Sequence, residues 1–153
     1  MKKVFYYETP IGKIGIAEEW GFITNLYFMK MKQPLYAKQI ETESIKEAYV
    51  QITEYLKGDR KEFDLPLNPS GTDFQQQVWS KVLEIEYGKT KSYGNIAKEL
   101  GDEKKARAVG NACNKNPIPI IIPCHRVTCT NGNLAGYIGG DDIKQLLINI
   151  ETT

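Results

Sequence analysis

β-Branched and aromatic residues dominate three short segments at the start of the chain, Lys3 to Thr9, Lys13 to Glu18 and Phe22 to Phe28. Runs of this composition predict β-strands. The residues Thr9-Pro10-Ile11-Gly12 between the first two have turn chemistry, because proline presets φ and glycine accepts backbone angles that other residues avoid. We therefore expect a sheet that begins with an antiparallel hairpin.

The apolar positions then change to a helical spacing, recurring every three or four residues until Gly58. This spacing predicts a helix with one face in the core, formed by Ile45, Ala48, Tyr49, Ile52, Tyr55 and Leu56. The proline-rich run from Leu65 to Gly71 is typical of a linker. We therefore expect an N-terminal α+β domain over residues 1–70 and a second domain over residues 71–153.

The second half is predicted to be mostly helical. Thr72 or Asp73 is suited to cap a helix that carries the apolar residues Phe74, Val78, Trp79, Val82 and Leu83. Two shorter helices are expected over residues 93–100 and 104–114, separated by Gly101-Asp102-Glu103. This is the spacing of a helix-turn-helix motif, and a plain solvated helical hairpin fits it equally well.

Charge favours the DNA-binding interpretation of that motif. The chain has 20 basic and 19 acidic residues, so its net charge of +1 neither requires nor excludes a polyanionic partner. Residues 89–115, however, hold seven basic side chains and three acidic ones. Positive charge is thus concentrated where a DNA-reading helix would lie.

The second of these helices is lined with small residues, Ala106, Ala108, Gly110 and Ala112, around one large side chain, Arg107. Small residues let a helix approach a narrow surface such as the minor groove, and an arginine can enter the base stack. Close packing against the protein's own core is the alternative explanation of the same pattern.

The only histidine, His125, directly follows Cys124 in an apolar, strand-like run from Ile120 to Val127. A cysteine nucleophile needs a neighbour that takes its proton or stabilises its anion, and His125 is such a neighbour. The alternative is a buried, inert cysteine, since adjacent residues of an extended strand point to opposite faces.

Cysteine usage indicates the compartment. Three cysteines are an odd number, and no secretory segment or long apolar span is recognisable, so we expect a cytoplasmic protein with no membrane partner. Neither a Cys-x-x-Cys pair nor a second histidine accompanies them. We therefore expect no metal site.

Several motifs together resemble the family of O6-alkylguanine-DNA alkyltransferases, also called methylated-DNA-protein-cysteine methyltransferases. They are Pro123-Cys124-His125-Arg126-Val127, Asn116-Pro117-Ile118-Pro119, Ser92-Tyr93, Phe74 to Trp79, Ala106 to Gly110, and Leu134 to Gly140, with Glu151 downstream. The resemblance implies a ribonuclease-H-like N-terminal domain with an antiparallel sheet. It also implies a winged-helix-like C-terminal domain that carries the helix-turn-helix and the active-site cysteine.

The family's activity implies irreversible transfer of an alkyl group from O6-alkylguanine in double-stranded DNA to Cys124, once per molecule, with O4-alkylthymine as a further candidate substrate. By the same resemblance His125 takes the thiol proton through a water, and Glu151 orients the imidazole. The Tyr93 hydroxyl donates to N3 of the leaving guanine. No cofactor is implied, and the protein is expected to be a monomer.

The resemblance also assigns DNA and substrate contacts. The damaged nucleotide is flipped out through the minor groove, Arg107 fills the vacated space and Tyr93 rotates the phosphate. Further DNA contacts are implied for Ser92, Ala106, Ala108 and Gly110. The substrate pocket is implied to include Asn116, which ties the turn to the active-site strand, together with Pro119, Val127, Tyr137 and Ile138.

Three positions depart from the family pattern or invite attention. Glu86 stands where many members have proline, and Ile138 is bulkier than its usual counterpart, so it is expected to narrow the pocket. Glu151 lies near the C-terminus, where fraying is common.

Three other functional classes are alternatives to an alkyltransferase. They are a lesion-binding protein without chemistry, a helix-turn-helix transcription regulator and a cysteine hydrolase, which would need an oxyanion hole.

Overall fold

The structure, a computed structural model, describes residues 1–129 and 136–153. Leu134 and Ala135, which belong to one of the family motifs, lie outside the described residues. Contacts between Cα atoms divide the chain into two compact units, Met1–Ser70 and Gly71–Thr153.

The first unit is built on a four-stranded sheet. Its strands are β1 (Lys3–Thr9), β2 (Gly12–Glu19), β3 (Phe22–Phe28) and β4 (Lys38–Gln39), in the spatial order β3-β2-β1-β4. The first three pair antiparallel as a meander, and β4 pairs parallel to β1. The three predicted strands and the hairpin between the first two are confirmed.

Helix α1 (Glu43–Leu56) covers this sheet, and Thr42 caps it by accepting a hydrogen bond from the backbone N–H of Ile45. The helix is confirmed, and its inner face is fully buried at Ile45, Ala48, Ile52 and Tyr55. The predicted linker is wrong in its first half. There the backbone pairs with β3: the Ile23 amide donates to the Pro66 carbonyl at 2.8 Å, and the Asn68 amide donates to the Ile23 carbonyl at 2.9 Å.

The second unit is mostly helical, as predicted. It contains α2 (Asp73–Leu83), β5 (Lys91–Ser92), α3 (Tyr93–Glu99), a 3₁₀ turn (Glu103–Lys105) and α4 (Ala106–Asn114). Thr72 is the cap of α2, in a reciprocal capping box with Gln75. The indole Nε1 of Trp79 donates to the Ala112 carbonyl at 2.9 Å and so ties α2 to α4.

The strand predicted over Ile120 to Val127 is wrong. Cys124–Arg126 form a 3₁₀ turn, and only Val127–Thr128 extend as a strand, β6, which pairs parallel to β5. Ile120 has a left-handed φ of 75°, and Pro123 has no N–H to donate to a sheet. The run is apolar because the turn is buried on all sides, and apolar composition alone does not distinguish a buried turn from a buried strand.

The chain ends in helix α5 (Asp141–Thr152), which contacts the 3₁₀ turn of Cys124. Within the described parts of the chain, none of the helices is both long and apolar enough to cross a bilayer. The α+β class, with a sheet in the first half and helices in the second, is thus confirmed.

Candidate active site

The turn that presents Cys124 is held by a buried amide. Asn116 is fully buried; its Nδ2 donates to the Ile122 carbonyl and its Oδ1 accepts from the Ile118 amide, both at 2.9 Å. The Ile122 amide also donates to the Ile118 carbonyl, across the left-handed residue Ile120. A β-branched residue at positive φ is strained and persists only where its surroundings over-determine it. The backbone before Cys124 is therefore preset.

His125 and Glu151 form a buried pair. The Nε2 of His125 lies 2.7 Å from Oε2 of Glu151, and the imidazole is fully buried. A carboxylate accepts, so the proton on this ring belongs at Nε2, and Nδ1 is the basic nitrogen. Glu151 is only 8% exposed, and it also accepts from the Gly88 amide at 3.2 Å. The fraying expected at Glu151 is thus not seen.

Arg126 is a site residue that sequence reasoning missed. Its Nε and Nη2 donate to the two carboxylate oxygens of Glu151 at 2.9 and 3.1 Å, and its Nη1 donates to the Ile85 carbonyl at 2.7 Å. The guanidinium also lies 5.7 Å from the centre of the Tyr87 ring. A two-pronged contact of this kind fixes a carboxylate in one orientation. The signal in the sequence was its position beside His125 within a family motif.

Burial sets the protonation states of the two central groups. It raises the pKa of the Cys124 thiol well above its ordinary value, and a hydrogen bond to the Cys113 thiol raises it further. Burial also lowers the pKa of His125, against the opposing effect of Glu151. At neutral pH the site therefore holds a thiol and a neutral imidazole, so a proton must move before the sulfur can attack.

Tyr93 is brought to the thiols by the small second sheet. The pairing of Lys91 with Val127 and of Ser92 with Thr128 joins the start of α3 to the segment after Cys124. Burial raises the pKa of Tyr93, and the thiols of Cys113, Cys129 and Cys124 raise it further. Its hydroxyl therefore stays protonated and can donate a hydrogen bond. Ser92 caps α3 by accepting from the Asn95 amide at 3.0 Å.

Helix α4 has a buried and an exposed side. Val109, Ala112 and Cys113 are buried, whereas Arg107 and Ala108 are exposed. Both explanations of its small residues therefore have support, close packing on one side and an accessible surface on the other. Ala106 and Gly110 are half-buried between these sides, and a Cβ added to Gly110 would lie 3.9 Å from the Tyr93 ring.

The remaining predicted pocket residues are buried or half-buried. Pro119 and Val127 are buried, Tyr137 is 8% exposed, and Ile138 is half-buried. The Tyr137 ring stands edge-on to His125, with 6.4 Å between the ring centres. No group of three or more metal-ligating side chains is found within residues 1–129 and 136–153.

Comparison with known proteins places this site in a family. The model of the DNA-binding domain of 6-O-methylguanine DNA methyltransferase matches residues 73–153, and that of its ribonuclease-like domain matches residues 3–69. The chain is similar to the methylated-DNA-protein-cysteine methyltransferase of Methanosarcina acetivorans, with 45% identity over 95% of both chains. It is also similar to the constitutive enzyme of Bacillus subtilis, with 43% identity over 94% of this chain and 92% of that protein.

Solved structures agree. Mycobacterium tuberculosis OGT in complex with DNA superposes with a TM-score of 0.92 and 40% identity, over 98% of this chain and 92% of that one. The fold, together with Cys124, His125 and Glu151, is that of the DNA-repair methyltransferase class. The chain belongs to the 6-O-methylguanine DNA methyltransferase family, whose members include the methylated-DNA-protein-cysteine methyltransferases.

Proposed function

We propose that this protein repairs DNA by moving an alkyl group from O6 of guanine directly onto Cys124. The observation that carries the proposal is the buried pair of His125 and Glu151, whose side chains are 2.7 Å apart. His125 directly follows Cys124, which is a buried free thiol. The unit that holds this site matches the family's DNA-binding domain. A transcription regulator would have no use for a buried, charged relay beside a cysteine.

The chemistry is a displacement at saturated carbon. The Cys124 thiol passes its proton through a water to Nδ1 of His125, whose imidazolium is stabilised by Glu151. The sulfur then forms a bond to the alkyl carbon as the bond from that carbon to O6 breaks. Guanine leaves as an anion that Tyr93 stabilises by donating to N3. The guanine anion takes a proton from water at N1, and the imidazolium of His125 returns its proton to water, so the proton lost by the thiol is accounted for.

The product limits the protein to one reaction. A thioether sulfur is a very poor leaving group, so the alkyl group stays on Cys124. Every step uses the chain's own groups and water, without a cofactor. The protein is therefore a transferase by reaction type and a stoichiometric reagent by kinetics.

Mass spectrometry of Cys124 after incubation with duplex DNA containing O6-methylguanine tests the proposal. We expect one methyl group on the peptide that contains Cys124, saturating at about one group per protein as for a nucleophile that is not regenerated. Cys124→Ser should abolish transfer and keep DNA binding, and Cys129→Ser is the matched control that should still transfer. Unmodified Cys124 in reduced, folded protein would refute the proposal.

We further infer that the protein binds the minor groove and flips the damaged nucleotide. Arg107 is the exposed arginine on the small-residue side of α4, suited to fill the space that the base leaves. Tyr93, Ser92, Ala106, Ala108 and Gly110 provide the surrounding surface. Pro119, Val127, Tyr137 and Ile138 line the pocket that receives the alkylated base, and Asn116 holds its turn.

Arg107→Ala separates flipping from chemistry. We expect repair of duplex DNA to slow at least tenfold, while reaction with free O6-methylguanine base stays within about twofold, because only the duplex requires the arginine in the stack. Lys115→Ala is the control, since it removes an exposed positive charge from the end of the same helix. An equal loss with both substrates would contradict this role.

We also infer that the protein works as a monomer in the cytoplasm, where its thiols stay reduced. One lesion needs one Cys124, so the chemistry requires no second subunit. Light scattering should give a mass near the 17.4 kDa of one chain, both free and after methylation. A stable dimer would contradict this inference.

A further inference from the structure

Two of the cysteines are buried in contact with each other. Cys113 of α4 is 5% exposed and Cys124 is 3% exposed, both are free thiols, and a hydrogen bond joins their sulfurs. A buried cysteine is commonly a small apolar side chain that fills space. Cys113 does more than fill space, because its thiol touches the sulfur that is proposed to accept the alkyl group.

The backbones of the two cysteines are tied to each other through Asn116. The Asn116 amide donates to the Cys113 carbonyl at 3.2 Å, and its side chain donates to the Ile122 carbonyl at 2.9 Å. The Cys124 amide donates to the same Ile122 carbonyl at 2.8 Å. One fully buried residue thus connects the end of α4 to the turn of Cys124, so the contact between the thiols is built into the fold.

Alkyl transfer gives no reason for a thiol at position 113. The contact with Cys113 raises the pKa of Cys124, so it makes the thiolate harder to form. A small apolar side chain such as alanine would occupy part of the same space without this effect. What a thiol offers that alanine does not is oxidation to a disulfide with a neighbouring thiol.

We propose that Cys113 and Cys124 form a reversible disulfide within one chain when the protein meets a hydroperoxide, with Cys113 resolving the oxidised nucleophile. In reducing compartments disulfides are usually transient and redox-linked, and this one would be of that kind. Formation of the bond does not depend on the proposed alkyl transfer. Only its benefit to DNA repair rests on that function.

The first step oxidises Cys124. Its thiol passes a proton through a water to His125, as in the proposed alkyl transfer, and the sulfur attacks one oxygen of hydrogen peroxide. The O–O bond breaks, and the departing hydroxide takes up the proton as water, which leaves Cys124 as a sulfenic acid. Hydrogen peroxide has two heavy atoms, so it needs no more room at the buried sulfur than a methyl group and the oxygen that carries it.

The second step joins the two sulfurs. The Cys113 sulfur attacks the Cys124 sulfur, the S–S bond forms as the S–O bond breaks, and the hydroxide leaves as water with the Cys113 proton. The two thiols together lose two electrons, which the peroxide takes up in forming two waters. The sulfurs must approach to about 2 Å, and rotation of the two side chains shortens a contact that already exists.

The disulfide would keep a single-use protein from being lost to oxidation. A second peroxide converts an unresolved sulfenic acid to a sulfinic acid, which thiol reductants do not reverse. Cys124 would then be spent without any repair. The disulfide instead returns both thiols by exchange with a reducing dithiol.

Peptide mapping tests the linkage directly, because trypsin separates the cysteines. Cleavage after lysine and arginine places Cys113 in residues 108–115, Cys124 in residues 116–126 and Cys129 in residues 127–144. The reduced protein is treated with hydrogen peroxide, its remaining thiols are blocked with N-ethylmaleimide, and it is digested without reduction. We expect the first two peptides to be linked, in protein that runs as a monomer on a non-reducing gel.

Substitutions test what Cys113 does for the nucleophile. After peroxide and then dithiothreitol, the fraction of Cys124 recovered as a thiol should be several-fold lower in Cys113→Ala than in the parent, with sulfinic acid in its place. Cys129→Ala is the matched control and should recover like the parent. Cys113→Ser keeps a hydrogen-bond donor of similar size and serves the same test if the alanine variant does not fold.

The proposal is overturned by a link from Cys124 to Cys129, by a link between two chains, or by Cys124 that stays a thiol in peroxide. Sulfinic acid at Cys124 of the parent, or equal recovery in the parent and the Cys113 variants, would overturn it as well. These measurements use no DNA, so the two proposals fail separately. A protein that forms the link and never accepts a methyl group would refute alkyl transfer alone, and one that accepts methyl groups without forming the link would refute the disulfide alone.

Discussion

The two units bury polar side chains for different purposes. In the first unit, Gln51 exchanges hydrogen bonds with the backbone of Asp64, and Glu18 accepts from the Gly21 amide at 2.8 Å. These contacts fasten turns and loops. In the second unit, the buried polar side chains other than Asn116 are charged or titratable, and Glu151 contacts both His125 and Arg126. Lys144 is buried as well and donates to the Val127 carbonyl.

This difference separates buried polar side chains that hold the backbone from buried polar side chains that can take part in a reaction. A buried ion pair is often no more stabilising than the apolar side chains that would fit the same space. A cluster of buried charges is therefore poor evidence of selection for stability, and it fits a site where pKa values must be controlled. In this chain, that cluster includes His125 and Arg126, the two residues that directly follow the cysteine that the family motifs identify.

The largest expected effect comes from neutralising the centre of the cluster. Glu151→Gln leaves Arg126 as a buried charge without its anionic partner, so we expect the second unit to lose about 3 kcal/mol of stability. Alkyl transfer should also fall at least tenfold, because the imidazolium loses its counter-charge. The matched change in the first unit is Glu54→Gln, since Glu54 forms a partly exposed pair with Arg60 at 2.9 Å.

The Glu54 variant should cost under about 1 kcal/mol, the usual value of an exposed ion pair. Urea unfolding followed by tryptophan fluorescence measures both variants, because Trp79 of the second unit is 1% exposed and Trp20 of the first is 87% exposed. The emission change on unfolding thus reports chiefly on the second unit, and circular dichroism follows the whole chain. Equal costs for the two variants would remove the contrast between the units.

The next largest expected effect is a difference between the two units in how their stability depends on pH. Burial lowers the pKa of His125 from its ordinary value of 6.5, so the unfolded chain binds a proton more readily than the folded one. Stability of the second unit is therefore full above that value and falls as the pH drops below it, by at most about 1.4 kcal/mol per pH unit.

Unfolding at pH 7.5, 6.5 and 5.5 measures this slope. His125 is the only histidine in the chain, so His125→Gln should remove the slope between pH 6.5 and 5.5. The first unit has no histidine and provides the internal reference. Persistence of the slope in the His125 variant would show that another group titrates.

Helix caps should show where the units behave alike. Thr72 caps α2 and Thr42 caps α1, each by accepting from a backbone amide three residues on. Replacing either threonine with alanine should cost about 1 kcal/mol. Unfolding should show the loss in the second unit for Thr72→Ala and in the first for Thr42→Ala, with alkyl transfer unchanged at saturating DNA. A large activity loss in either would mean that a cap supports the site.

The smallest expected effect is a gain of reactivity. The Cys113 thiol raises the pKa of Cys124, so Cys113→Ala should lower that pKa and speed modification by iodoacetamide a few-fold near neutral pH. Cys129→Ala is the matched control at a half-buried thiol. A slower reaction in the Cys113 variant would show that packing around the sulfur matters more than the hydrogen bond.

Local patterns predicted the regular elements well. The first three strands, α1, α2 and the two helices of the helix-turn-helix follow from composition, spacing and capping residues that act over a few positions. The turn before Cys124 did not follow, because its backbone is determined by Asn116 and by the left-handed Ile120, and neither appears in a periodic pattern. The pairing of Pro66 and Asn68 with Ile23 was missed for a similar reason, since it joins distant segments.

The sequence by itself determined the class of fold and the family, and it singled out Cys124 as the candidate nucleophile, because these depend on motifs and on short-range periodicity. Only the tertiary structure decided how the nucleophile is controlled. Glu151 lies 26 residues after His125, and Arg126 holds its carboxylate. Their effect on His125 depends on burial and on distances of about 3 Å, the range of hydrogen bonds. The pKa of a side chain depends on its burial and on the charges around it, and folding creates both.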